Sequence, residues 1–163
     1  MKKISIFICL ALLMAIGFIE CATHKTSAYS NYETLIIGTE LDGSYTLRTY
    51  GKARNSADAY IQAGKQAVRD MLFETLYFKD PNQMPLKPIL LTPNAEQKYE
   101  DYFNAFFADG GEYRNYMSMK EKRIGSSSFT KTDAQATCIT TVCVYRSRLK
   151  QKLIEDGILS SNN

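Results

Sequence analysis

The chain has 163 residues, with 20 Lys and Arg against 17 Asp and Glu, a single histidine, 11 Tyr, 8 Phe and no Trp. A net charge of only +3, with the two signs interspersed, excludes the clustered basic face of a nucleic-acid binder. One histidine removes Ser-His and Cys-His nucleophile pairs and most metal sites from consideration.

Met1-Lys2-Lys3 forms a short basic start. Residues 4–19 are apolar or small except Ser5, and Glu20 ends the run. About 16 residues is shorter than the roughly 20 that a membrane-spanning helix needs. A basic start, a short apolar core and a reactive residue behind it form the pattern of a cleavable export signal. Cys21 stands where lipoprotein signals place the cysteine that is acylated and becomes the mature N-terminus. The sequence therefore predicts a signal over 1–21 and lipidation at Cys21. Such small residues as precede Cys21 in that class are replaced here by Glu20, and ordinary cleavage near Ala22 or Ala28 is the alternative. Residues 22–33 open with the polar stretch Thr23 to Asn31, which has no helix or strand period and reads as a tether. Removing Lys2, Lys3 and Glu20 leaves 18 basic and 16 acidic residues, a net +2. The remaining chain of about 142 residues suffices for one domain, predicted over 34–159, with a polar tail over 160–163.

Within the body, 34–38 is a short apolar strand, Asp42-Gly43 a turn, and 44–53 an alternating strand. Tyr45 and Leu47 point to one face of that strand, and Arg48 and Tyr50 to the other. Asn55 or Ser56 caps a helix over 57–76, with Asp58 in its first turn. Ala57, Ile61, Gly64, Val68, Met71, Leu72 and Thr75 recur at helical spacing, and Ala59, Ala63 and Ala67 widen that face with small side chains. All four prolines fall between Pro81 and Pro93. Residues 79–92 must then be extended, lying on the body through Leu86, Ile89, Leu90 and Leu91, with an edge strand expected. Thr92-Pro93 reads as an N-cap with proline at the first helical position. The helix that follows, 94–108, carries Tyr99, Tyr102, Phe103, Phe106 and Phe107 and ends at Asp109-Gly110-Gly111. Weaker strands are expected over 113–119 and 124–132, around Gly125-Ser-Ser-Ser128, and Lys120 to Arg123 reads as a solvated basic loop. Residues 136–145 form the clearest strand. Ser147 caps a final helix over 148–156, with Gly157 as its left-handed C-cap and Ile158 packing back on Leu153.

The order predicts an α+β fold: an antiparallel sheet of about three to five strands, with two longer helices and a short C-terminal helix packed on one face. Cys138 and Cys143 are five residues apart along a strand. They face opposite sides about 17 Å apart, too far for the roughly 7 Å a disulfide requires.

The run Thr49-Tyr-Gly-Lys-Ala-Arg54, followed by Ala57-Asp-Ala59, Gln62-Ala63 and Lys65-Gln-Ala-Val68, resembles the N-terminal domain of the flagellar assembly protein T family and the related twenty-kilodalton lipoproteins. The resemblance covers about 20 residues. It implies a strand, a long Ala-rich helix and returning antiparallel strands, and a structural or assembly role without catalysis. It assigns no functional residues.

Three functions are open to such a chain. The first is a non-catalytic envelope protein held to a membrane by the lipid on Cys21, facing the periplasm or the cell surface, and binding another envelope protein or a cell-wall component. A soluble periplasmic form is its variant. The second is a small-ligand or glycan module whose binding face is Tyr99, Tyr102 and Phe106. The third is a carboxylate-based glycan hydrolase using Glu96 with Glu100, or Asp109 with Glu112. No cofactor, metal or nucleotide motif is present in the sequence, and none of the three readings calls for nucleic acid.

Overall fold

A computed structural model describes residues 32–120, 128–131 and 135–160. The expected signal over 1–21, with Cys21, and most of the tether lie outside the described residues. The fold is α+β, built on a six-stranded sheet in the order β3-β1-β2-β6-β4, with β5 also on β6. The strands are β1 Leu35–Thr39, β2 Tyr45–Ala53, β3 Tyr77–Phe78, β4 Met117–Met119, β5 Ser128–Lys131 and β6 Ala136–Val144. The sheet is mixed rather than wholly antiparallel. β3 was not expected, and it runs parallel to β1, pairing Leu35 with Tyr77 and Ile36 with Phe78. The centre is the nine-residue antiparallel ladder of β2 on β6, from Tyr45 opposite Val144 to Ala53 opposite Ala136.

Period-two alternation sorts that ladder into two faces. Leu47, Thr49 and Gly51 of β2, with Cys138, Thr140 and Val142 of β6, are buried on one face. Arg48 and Lys52 are exposed on the other. Cys143 falls on the face opposite Cys138, as its five-residue offset requires, and neither cysteine is disulfide-bonded. The Cys143 thiol donates to Ser44 Oγ at 3.4 Å.

Helix α1, Ser56–Phe73, crosses the buried face. Asn55 caps it, its side-chain oxygen accepting from the Asp58 amide at 2.9 Å. Gly64, Val68, Met71 and Leu72 are buried as expected, and the expected stripe fails at three positions. Ala59, Ala63 and Ala67 are fully buried, whereas Ile61 is 37% exposed and Ala57 and Thr75 are exposed. The reason is a close approach. A Cβ on Gly51 would lie 2.1 Å from the Ala59 carbonyl oxygen and 2.3 Å from the Ala63 nitrogen. The helix backbone rests on the strand at this point, so only small side chains fit opposite Gly51, while Val68, Met71 and Leu72 are buried further along the helix.

The proline-rich segment is not an edge strand. Pro81, Pro85 and Pro88 lack the N–H a ladder needs, and only Leu76 and Leu86 form an isolated bridge. The segment instead closes α1. The amides of Ile89 and Leu90 donate to the carbonyls of Met71 at 3.2 Å and Leu72 at 2.9 Å, groups a helix end leaves without an internal partner.

The expected single helix over 94–108 is two short ones, α2 Ala95–Lys98 and α3 Glu100–Phe106. Asn94, in the left-handed region at φ 56°, occupies the cap position instead of Thr92. Tyr99, at φ −117° and ψ 37°, breaks the run. Phe103, Phe106 and Tyr113 are buried in one cluster with Leu47, Met71, Val142 and Leu149. Residues Glu112–Tyr116 form a 3-10 turn, so the strand expected over 113–119 shrinks to β4. Part of the strand expected over 124–132 is β5, and 121–127 and 132–134 lie outside the described residues. Helix α4, Arg146–Glu155, starts one residue before the expected Ser147 cap. It ends as expected at Gly157, φ 72°, with the Ile158 amide donating to Leu153 at 2.9 Å and the Gly157 amide to Ile154 at 3.1 Å. Among the described residues no helix is long and apolar enough to cross a membrane.

Candidate functional site

The body takes up the chain at Tyr32, inside the expected tether. Its ring packs on Tyr50 with centroids 5.2 Å apart, and the Lys52 ammonium lies 4.7 Å from its centroid. Two residues on, Thr34 is buried. Its Oγ1 donates to Asp70 Oδ2 at 2.5 Å and lies 3.2 Å from Thr49 Oγ1. Gln66 Nε2 donates to Asp70 Oδ1 at 2.7 Å. Asp70 is reached by the fourth-residue spacing from Gln66 on α1, which aims both side chains at the same strand end.

Asp70 is 6% exposed and faces neutral donors rather than a cation. Burial, which disfavours its charged form, pushes its carboxyl above the usual carboxylate range. The hydrogen bonds from Thr34 and Gln66 and the charge of Arg69 oppose that push, and Glu74 adds to it. The neighbouring cation Arg69 is committed elsewhere, donating through Nε at 3.0 Å and a terminal nitrogen at 2.6 Å to the two oxygens of Glu96. A buried acid with a raised carboxyl, lining a cleft, marks a candidate site. The cleft is a groove of about 480 Å³ between the C-terminal half of α1 and the entering chain. Asp70, Gln66 and Arg69 line it together with Tyr32, Tyr50 and Tyr77, and Glu33 and Glu74 are also in its lining.

The aromatic stripe proposed from sequence serves a different purpose. Phe106 is 4% exposed and belongs to the core. Tyr102 stacks on Phe106 at 5.9 Å and donates its hydroxyl to Asp156 at 2.6 Å. Tyr99 is half-buried against the core, with the Lys98 ammonium 5.1 Å from its ring centroid. Tyr102 is therefore a clasp between α3 and the end of α4. Lys152 extends it, bonding Glu112 at 2.9 Å and Asp156 at 3.2 Å. The Tyr102 hydroxyl, followed by Lys152, holds the Asp156 carboxyl below the usual range against the opposing effect of its burial.

The carboxylates weighed for hydrolysis are mostly engaged. Glu96 is held by Arg69, Asp109 by Lys65 at 2.9 Å and Glu112 by Lys152. The Lys65 ammonium keeps Asp109 below the ordinary carboxylate range, the opposite of what a general acid needs. Glu100 lines a smaller groove of about 250 Å³ with Glu96, Phe103 and Phe107. Among the described residues no group of three or more His, Cys, Asp or Glu is placed to hold a metal ion.

Sequence reasoning passed over Asp70. It occupies a position between Val68 and Met71 that periodicity assigns to the flank, and no local pattern links it to Thr34. The one available signal was an acid inside an Ala-rich buried stripe. Compared with protein-family models, with curated proteins and with solved structures, the chain finds no match in any of the three.

Proposed function

We propose that the protein is an exported envelope component, anchored to a membrane through a lipid on Cys21, with a non-catalytic structural, assembly or partner-binding role. The observation that carries this reading is the start of the chain: Lys2-Lys3, an apolar run over 4–19, and Cys21 followed by a polar stretch that leads into a body beginning at Tyr32. Two or three acyl chains would hold it firmly, each buried CH₂ contributing about 0.8 kcal/mol. Support for a non-catalytic role comes from Glu96, Asp109 and Glu112, each neutralised by a cation rather than poised beside a second free carboxylate. The partner is another envelope protein or a cell-wall component. The intact mass of the protein recovered from membranes tests the reading. A chain that starts at Cys21 and carries acyl mass is expected. An unmodified chain starting at Ala22 or later in the soluble fraction, or one that keeps Met1, refutes it.

A second reading, a small-ligand or glycan module, is favoured by one observation: the groove beside Asp70, whose volume of about 480 Å³ falls in the usual range for small-ligand sites.

A further inference from the structure

The Asp70 groove differs from an ordinary surface crease in three respects. Its floor is a buried carboxylate fixed from two sides by Thr34 and Gln66, so its direction is set before any ligand arrives. A carboxylate offers about four acceptor positions, and those two bonds leave about half of them open. Its lining is rich in acceptors and poor in free cations. Glu33 and Glu74 have no side-chain partner among the described residues, and Arg69 is taken up by Glu96. Finally, tyrosine stands along the lining, with Tyr77 49% exposed and Tyr50 half-buried.

We infer that this groove binds a non-anionic saccharide, with ring hydroxyls donating to Asp70 and Glu74 and a sugar face resting on Tyr77. The chemistry selects that class. A ligand here must bring many donors, which hydroxyl-rich rings do. It must present an apolar C–H face to an aromatic ring while keeping its edge polar. An acid is disfavoured, since a carboxylate or phosphate would meet three acids, Asp70, Glu33 and Glu74, against two cations at the rim, Arg69 engaged by Glu96 and Lys52 over the Tyr32 ring. An amino sugar satisfies the same groups through its ammonium and is the second source of the same chemistry.

This inference deepens the reading of the protein as a binder of an envelope component, but it does not depend on the lipid. The intact mass tests the anchor, and the following experiment tests the groove alone. The full-length protein in detergent is titrated calorimetrically with maltotetraose, chitotetraose, the fully deacetylated glucosamine tetramer, tetragalacturonate and spermidine. Saturable binding of at least one of the first three is expected, with no binding of tetragalacturonate. Binding by chitotetraose or maltotetraose identifies a neutral sugar as the ligand, and binding by the glucosamine tetramer alone an amino sugar. Asp70→Asn should weaken the bound sugar about tenfold, since a hydrogen bond to a charged group is replaced by one to an amide. Glu74→Gln, an exposed change that leaves the fold intact, should weaken it roughly threefold, and Tyr77→Ala roughly fivefold. Glu155→Gln, outside the groove, should change nothing. The inference fails if none of the three sugars binds, if tetragalacturonate binds equally well, or if spermidine matches the best sugar. It also fails if Glu74→Gln and Tyr77→Ala leave the affinity unchanged, a result readable even where Asp70→Asn does not fold.

Discussion

Replacing Gly51 by alanine adds one methyl group, yet the structure leaves no room for it. The added Cβ would sit 2.1 Å from the Ala59 oxygen, 2.3 Å from the Ala63 nitrogen and 2.9 Å from the Ala63 Cα. All three are backbone atoms, so no rotamer can relieve the contact. Reaching an ordinary separation of 3.4 Å requires the helix to retreat by about 1.3 Å. A gap of that size forfeits roughly half of the dispersion attraction along the seam, and the seam includes the fully buried Ala59, Ala63, Ala67 and Val68. Overpacking of this kind costs about 3 kcal/mol or more. For a body of about 130 residues that lowers Tm by roughly 12 °C. Thermal melts followed by far-UV circular dichroism measure it. Two companions sharpen the test. Gly38→Ala places its Cβ 3.8 Å from the Thr46 Cβ and should stay within about 0.5 kcal/mol of the parent. Adding Ala63→Gly to Gly51→Ala should not rescue it, because the clash is with the backbone at 63 and not with the side chain. A loss under about 1 kcal/mol for Gly51→Ala, or a rescue by the second glycine, would refute the close-approach argument.

Three further outcomes follow from the geometry. Asp70 has a raised folded-state pKa, so its stabilising contribution is complete below the unfolded value and is lost as pH rises through the folded one. Asp70→Asn should therefore match or exceed the parent in Tm at pH 7, with the difference shrinking as pH falls; a parent that gains on the variant toward neutral pH contradicts the uncompensated charge. Tyr102→Phe removes the 2.6 Å bond to Asp156 and should cost about 1 kcal/mol. Because the Asp156 carboxyl is depressed in the fold, its stabilisation is present above the unfolded pKa and lost as pH falls through the folded one. The variant should consequently show a shallower acid-side loss of Tm, and an unchanged slope would place the depression on Lys152 alone. Gly157→Ala puts a side chain at φ 72° and should cost about 1 kcal/mol by urea melts, whereas Gly157→Asn should recover part of it.

What the sequence disclosed of this fold follows the range over which its signals act. Asn55 and Asp58 sit three residues apart, and the cap they form was legible from their spacing. Gly157 after Leu153 was legible for the same reason, since its Schellman bonds span six residues. The alternation of β2 survived because both its faces are decided by one strand's own pleat. The misread elements are those decided at long range. Ile61 carries a stronger apolar signal than Ala59 or Ala63, yet it is the small residues that are buried, because Gly51 on another element brings the helix backbone to the sheet. The Gly-x-Ala run at Gly51 and Ala53 is visible in the sequence as a pattern, and the contact at Gly51 gives the glycine its physical reason. The aromatic helix breaks at Tyr99, and the rings after it reach Phe73, Tyr113 and Tyr116, long-range contacts that no local period encodes. The groove was the least legible feature of all: Thr34, Asp70 and Tyr77 are separated by 36 and then 7 positions and meet only because β3 returns beside β1. A carboxylate buried by such a meeting, with only neutral donors bonded to it, is a feature that packing alone gives no reason to form. That is the physical ground for looking to Asp70, rather than to the aromatic stripe, for whatever the body binds.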